Sequence, residues 1–188
     1  HISIRPKLKI LNDIKQNIIQ KYNINIDKKN IMLCPDAEFG NAKKWPLSHW
    51  LDLANSFDTD HNIFFLGKDT SINNDIEHQK KSKNIKSLIG NTSMIEVIYL
   101  LSSADLVISN DSGLMHIAGA VDCKIIALYG SSSPFYTPPL ISNDKGEVIY
   151  KNLDCSPCHE RTCPLKHLNC LREISAKEVF DISLNYII

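Results

Sequence analysis

Net charge is absent from this chain: its 188 residues carry 21 Lys+Arg against 21 Asp+Glu. The totals therefore do not advertise the clustered basic face of a nucleic-acid binder, although they are compatible with a local patch. Long apolar runs are missing too. No stretch nears the roughly 20 residues of a membrane-spanning helix. The opening HISIRPKLKI has no apolar core behind its basic residues, so it does not match a secretory signal. There is no P-loop lysine motif, no H-E-x-x-H and no Ser-His-Asp arrangement, and the "LGKD" at Leu66 to Asp69 is not a G-x-G-x-x-G fingerprint. An initiating Met is lacking as well, which points to a fragment, a processed chain or an excised domain.

What is present is ordinary for a globular domain: 43% hydrophobic and 22% charged residues, with a length suited to one domain. Helical and extended patterns alternate. Leu11, Ile14, Ile18 and Tyr22 share a stripe over Lys7 to Tyr22 and predict a helix. Asn30 to Cys34 forms a buried-strand pattern, Pro46 can open a helix carrying Leu47, Trp50, Leu51 and Ala54, and Asn62 to Gly67 gives a second strand. Thr70 to Lys83 is polar and predicts a surface helix; "IKSLIG" predicts a short strand. Ser93-x-x-Glu96 is a capping-box pattern ahead of Met94, Val97, Ile98 and Leu101. "DLVIS" and "KIIALYG" flank a helix starting near Leu114, "EVIY" offers a last strand, and Ser175 to Ile187 a last helix.

The alternation predicts an α/β fold, a Rossmann-like parallel sheet with helices on both faces. Ligands of such sheets sit at the carboxyl ends of the strands. The candidate loops are then 35–46, 109–116 and 130–139, with Gly67 to Asp69 ending a further strand. In "ISNDSGLMHIAGA", Asp111 or Ser112 can cap a helix whose first N–H groups also suit a phosphate, Gly113 permits close approach, and His116 returns toward the same helix mouth. In "AEFGNAKKWP", Lys43 is a candidate cation for a diphosphate and Glu38 a polar anchor; as a plain loop, the same stretch would be solvated with Trp45 packed on the core.

Six cysteines occur. Cys34 and Cys123 lie in apolar surroundings and fit small buried hydrophobes. Cys155, Cys158, Cys163 and Cys170 crowd into "CSPCHERTCPLKHLNC", with spacing C-x2-C-x4-C-x6-C. A tetrahedral metal site, two local disulfides and reduced packing thiols all fit that spacing, and Cys155 with Cys158 could form a redox pair.

Three stretches together resemble the lipopolysaccharide heptosyltransferases, nearest to their heptosyltransferase II branch. "CPDAEFGNAKKWP" is similar to that family's P-G-A-E-F-G-x-A-K-x-W-P segment. "SNDSGLMH" with the following "GSSSPFYTPPL" resembles its N-D-S-G-L-M-H and G-x-S-S-P-x-x-T-P-P-L stretches, and the cysteine segment resembles one carried by many members. Asp36 departs from the family's usual Gly and puts the turn geometry of its loop in question.

The resemblance implies the C-terminal half of a GT-B glycosyltransferase over 1–188, with 151–172 a cysteine-rich loop within it and the N-terminal acceptor domain, bearing the general base, outside this chain. It implies an inverting transferase that uses ADP-L-glycero-D-manno-heptose and a lipopolysaccharide inner-core acceptor at the cytoplasmic face of the inner membrane, with peripheral membrane contact and no nucleic acid. No cofactor and no metal are expected. Asp111 would hold sugar hydroxyls. The Ser112, Gly113 and Leu114 backbone would face the diphosphate, with Lys43 stabilising the leaving group. Glu38 would contact the donor, His116 would sit by the phosphates, and Thr92 and Gly67 to Asp69 would lie near adenosine. The competing readings are a non-catalytic nucleotide-binding module from a truncated or split glycosyltransferase, and a cysteine-metal interaction domain.

Overall fold

The computed structural model describes residues 5–187. Six strands, β1 (Lys29–Cys34), β2 (His61–Phe65), β3 (Ile85–Ser87), β4 (Leu106–Asn110), β5 (Ile125–Tyr129) and β6 (Gly146–Tyr150), form one sheet. Every pairing is parallel, and the order is β3-β2-β1-β4-β5-β6. That is the order of Rossmann-type sheets, which reverse direction between β1 and β4.

Among the described residues seven helices cover the faces: α1 (Asn12–Lys21), α2 (Leu47–Ser56), α3 (Asn73–Gln79), α4 (Met94–Leu101), α5 (Gly113–Ala120), α6 (Asn169–Arg172) and α7 (Ala176–Leu184). The period-2 alternation of the strands sorts their side chains into two cores. Ile31, Leu33, Ile63, Phe65, Ile108 and Leu128 face α2, α3, α6 and α7. Met32, Cys34, Phe64, Val107, Ala127 and Tyr129 face α1, α4 and α5. Burial on both faces explains why Leu106–Ile108 of β4 and the whole of β5 are apolar without alternation.

Three expectations shift. The first helix begins at Asn12, not Lys7: Leu11 is its N-cap without a side-chain bond, and Leu11 and Ile14 stay exposed while Ile18 is buried. Leu8 instead donates its backbone N–H to Ala120 O at 2.8 Å, so the preceding segment is tied to the end of α5 and not wound into α1. The helix expected over Thr70 to Lys83 is a 3-10 turn at Thr70–Ile72 followed by α3, which ends at Gln79 and buries Ile76 completely. Asp69 opens that turn by accepting from Ser71 N. The end of the cysteine loop winds into the four-residue α6.

Candidate functional site

The carboxyl ends of β1 and β4 meet at the switch point, and one buried side chain fastens their loops together. Asn110, fully buried at the end of β4, donates from Nδ2 to Pro35 O at 2.6 Å and accepts Trp45 N–H at Oδ1, 3.1 Å away. The 35–46 loop is thus held at both ends by one amide. Trp45 secures it further, donating Nε1–H to Ile174 O at 2.8 Å and packing edge-on against Trp50 at 4.9 Å.

Within that loop Asn41–Lys43 make a 3-10 turn. Gly40 enters it at φ 151, where a Cβ would strike the Arg161 carbonyl. That carbonyl instead accepts Ala42 N–H at 3.0 Å. The turn aims Lys43 Nζ at Asp111 Oδ2, 2.6 Å away, with the two side chains 17% and 4% exposed. Thr137 Oγ1 lies 3.4 Å from the same oxygen. Phe39 supports the cation: Lys43 Nζ is 5.3 Å and the Arg161 guanidinium 4.8 Å from its ring. Burial first, and the Asp111 carboxylate second, push the Tyr129 phenol above its usual range. It therefore stays protonated and donates to Thr137 O at 2.5 Å.

Beside this pair a groove of about 720 Å³ runs between the β1, β2 and β4 loops and the helices α4 and α5. Met94, Val97, Leu114 and Ile117 give it an apolar wall; Asp36, Glu38, Lys44, Thr92, Ser112 and Gly113 make the polar side. The Gly67–Asp69 loop forms one end, pinned by Asp36, whose Oδ2 accepts Lys68 N–H at 2.5 Å and Asp69 N–H at 3.0 Å. Lys44 Nζ pairs with Asp69 at 3.1 Å across it. The question that Asp36 raises is answered here. It does not adopt a positive φ, and its carboxylate replaces glycine's freedom with a clamp on the neighbouring loop.

The start of α5 differs from expectation. Neither Asp111 nor Ser112 caps it: Ser112 is the N-cap residue in extended conformation, with no side-chain bond to the helix. Asp111 is turned to Lys43, and Ser112 Oγ lies 3.4 Å from Ser109 Oγ. The first N–H groups of α5 therefore face the groove without a side-chain acceptor, the arrangement that favours an anion.

The structure thus gathers Glu38, Thr92, Ser112, Gly113 and Leu114 around one groove, with Lys43 and Asp111 paired at its flank. His116 is exposed on α5 and outside the groove's lining. Lys44 and the clamping role of Asp36 escape a sequence reading, because both depend on contacts to a loop some thirty residues away. The strand-end position of Asn110 was visible; its two backbone partners were not.

All six cysteines are free thiols. Burial pushes Cys123 up to about 12 and Cys34 higher still, as befits packing groups. Cys155, Cys158, Cys163 and Cys170 come together around a cavity of about 20 Å³ lined also by Ala42 and Ser131. Burial, then the three neighbouring thiols, raise Cys170 to about 11. Cys163 is lowered instead: burial acts upward, but the backbone N–H groups of Leu168, Leu165, His167 and Lys166 around its sulfur outweigh it.

A parallel α/β domain that opens an uncapped helix start onto a groove of this size, at its switch point, is of the class that holds nucleotides or their phosphates there. The model of Glycosyltransferase family 9 (heptosyltransferase) matches residues 4–169, and the chain belongs to that family. It is 32% identical over 163 residues to lipooligosaccharide heptosyltransferase 2 of Campylobacter jejuni, covering 84% of this chain and 51% of the relative. To lipopolysaccharide heptosyltransferase 2 of Escherichia coli it is 35% identical over 153 residues, covering 77% of this chain and 42% of the relative. The solved structure of E. coli ADP-heptose lps heptosyltransferase II superposes with TM-score 0.82 at 27% identity, over 98% of this chain and 54% of that one. The fold is that of the matched half of a GT-B heptosyltransferase. The chain spans about half the length of the curated relatives it matches.

Proposed function

We propose that this chain is the donor-binding half of an inverting heptosyltransferase that transfers heptose from ADP-L-glycero-D-manno-heptose to the lipopolysaccharide inner core. The observation that carries the proposal is the uncapped α5 start, opening on the groove beside the buried Lys43–Asp111 pair in a family 9 chain. Adenosine fits the apolar wall of Met94, Val97 and Ile117, with Thr92 and the Gly67–Asp69 loop at its edge. The diphosphate then reaches the N–H groups at Ser112 to Leu114, within range of Lys43. Asp111 and Glu38 are the acceptors for sugar hydroxyls.

An acceptor hydroxyl attacks the anomeric carbon with inversion, its proton going to a general base on a domain outside this chain. The bond to the β-phosphate oxygen breaks, and negative charge grows on ADP. Preorganised N–H groups and Lys43 stabilise that charge without reorganisation at the moment of reaction. Because these groups already offset the diphosphate, donor binding needs no divalent cation. The enzyme would work at the cytoplasmic face of the inner membrane, where its acceptor lies; among the described residues no helix is long and apolar enough to cross a membrane.

Calorimetry with ADP, with and without Mg²⁺, tests the site: equal affinity is expected, and strict dependence on Mg²⁺ would sink this account of the diphosphate seat. Adding a separately produced acceptor domain tests turnover. Heptose transfer in the mixture supports the enzyme reading, whereas ADP binding without transfer supports a non-catalytic nucleotide module.

A further inference from the structure

Phe135 and Tyr136 follow β5 and stand 85% and 80% exposed, while Ser131, Ser132 and Ser133 just before them are buried. Nucleotide binding does not account for two adjacent aromatic rings in water, since neither lines the groove. Their exposure is not the looseness of a free loop. Ser133 ties the turn from inside: its carbonyl accepts Tyr136 N–H and Thr137 N–H, each at 3.1 Å, and its Oγ accepts Phe135 N–H at 3.2 Å. Tyr129 fixes the far end by donating to Thr137 O. The turn is pinned at both ends and presents its rings in a fixed place, an unfavourable exposure of apolar area unless something covers it.

The surroundings of the rings point to the chemistry of that cover. Tyr136 leans on His159, with ring centroids 6.2 Å apart. His159 is exposed, and its N–H is fixed to Ser131 O at 2.7 Å. Two residues on, the exposed Arg161 stacks over Phe39 at 4.8 Å and donates from Nη1 to Phe39 O at 3.1 Å, which engages one of its five N–H groups. Glu160 is exposed between the two, yet among the described residues no carboxylate pairs with His159 or Arg161. An aromatic face suits the apolar C–H face of a sugar ring, and a guanidinium meets a carboxylate or phosphate as a fork.

Position separates donor from acceptor. Thr137 Oγ1 lies 3.4 Å from Asp111 Oδ2, and the Phe39 ring lies 5.3 Å from Lys43 Nζ, so this rim borders both members of the buried pair. Phe39, Phe135, Tyr136, His159 and Arg161 are nevertheless all outside the groove's lining. In an inverting displacement the nucleophile arrives on the face of the anomeric carbon turned away from the leaving diphosphate. With the diphosphate on the groove side, at the start of α5, the acceptor comes from outside the groove. We propose that Phe135 and Tyr136, with His159 and Arg161, form an acceptor subsite: the rings take the C–H face of an acceptor sugar, and the cations take a carboxylate or phosphate carried by that sugar or its neighbour. The proposal rests on the heptosyl-transfer reading and adds a share of acceptor recognition to the donor half.

The probe is a lipid-free inner-core oligosaccharide. Titrated into the isotope-labelled chain, it should shift the amides of 135–137 and 159–161, a readout that needs no turnover. In the mixture with a separately produced acceptor domain, Phe135→Ala combined with Tyr136→Ala should raise KM for the oligosaccharide on the order of tenfold. Affinity for ADP and melting temperature should stay as they are, since rings this exposed support no core. Arg161→Gln should raise KM by roughly tenfold as well; the backbone carbonyl that holds the Lys43 turn is unaffected. That second loss should disappear with either an esterified or a dephosphorylated oligosaccharide, and the arm in which it disappears names the anion. Absence of amide shifts at millimolar oligosaccharide overturns the proposal even where ADP binds and heptose is transferred. So does a KM unmoved by the aromatic variant, or an Arg161→Gln loss that survives both treatments. Weaker docking of the acceptor domain without oligosaccharide would make the rings a domain contact, and weaker binding to sugar-free phosphatidylglycerol vesicles a membrane contact; either result overturns the subsite. Amide shifts at the rim in a chain that does not bind ADP would sink the donor-binding reading alone.

Discussion

Lys43 is engaged before any ligand arrives. Its ammonium lies 2.6 Å from a carboxylate that is 4% exposed, so removing it does two things at once. Lys43→Ala should weaken ADP binding by about 1.5–3 kcal/mol, roughly 10- to 150-fold, through the lost charge-assisted contact. It should also destabilise the fold by up to about 3 kcal/mol, because Asp111 is left buried and unpaired. The two effects separate in the double variant: Asp111→Asn added to Lys43→Ala should restore the melting temperature but not the affinity. Asp111→Asn alone should hurt binding of the sugar nucleotide more than of ADP. Calorimetry and thermal melts check all three, and equal losses for both ligands would remove Asp111 from the sugar. The type of each residue was legible in the sequence; that the two bind each other was not, because 68 residues separate them in the chain.

Among the elements, α4 follows its local sequence most closely. The Ser93-x-x-Glu96 signature is realised in full: Ser93 Oγ accepts Glu96 N–H, and Glu96 accepts Ser93 N–H at 2.7 Å. Ser93→Ala should cost about 1 kcal/mol in chemical denaturation. Glu96 has a tertiary partner the signature does not foretell, the Lys21 ammonium of α1. Lys21 first and the Ser93 N–H second hold the Glu96 carboxyl down to about 2, against 4.5 ordinarily. A depressed carboxyl stabilises the fold above its unfolded value and loses that contribution as pH falls toward the folded one. Melting temperature should therefore drop between about pH 4.5 and 2, and Glu96→Gln should flatten that part of the profile. By contrast α1 departs from its pattern at its start: a stripe of Leu11 and Ile14 predicts burial, yet both stay exposed and the helix joins the core through Ile18. Periodicity reports which residues could share a face, not whether a neighbour is there.

For the whole molecule, the strands were readable because burial on both faces demands long apolar runs, and the parallel order of β1 to β5 followed from the helices between them, whereas β6 is reached by a loop with only a 3-10 turn. The switch point followed in turn. What the groove looks like did not, since its walls come from four separate loops tied together by Asn110, Asp36, Lys43 and Lys44 across long stretches of chain. Hydrogen exchange should show this division. Amides of β1, β4 and β5, flanked by strands on both sides, should exchange slowest. Added ADP should slow 36–44, 67–69 and 112–117 while leaving α7 unchanged; protection confined to other segments would place the nucleotide elsewhere.

The Asp36 clamp has a consequence for which residues the chain can accept. A Cβ at Gly67 would run into the Asp36 carboxylate, so the two positions occupy one volume. They behave as a single locus with two settings: a carboxylate facing a glycine, or a small residue that frees space for a larger neighbour. Gly67→Ala should be costly in this background and nearly silent once Asp36→Gly is present, a coupling a double-mutant cycle would measure directly. Drift at position 67 is then conditional on position 36: a side chain at 67 should follow the loss of the Asp36 carboxylate and not precede it.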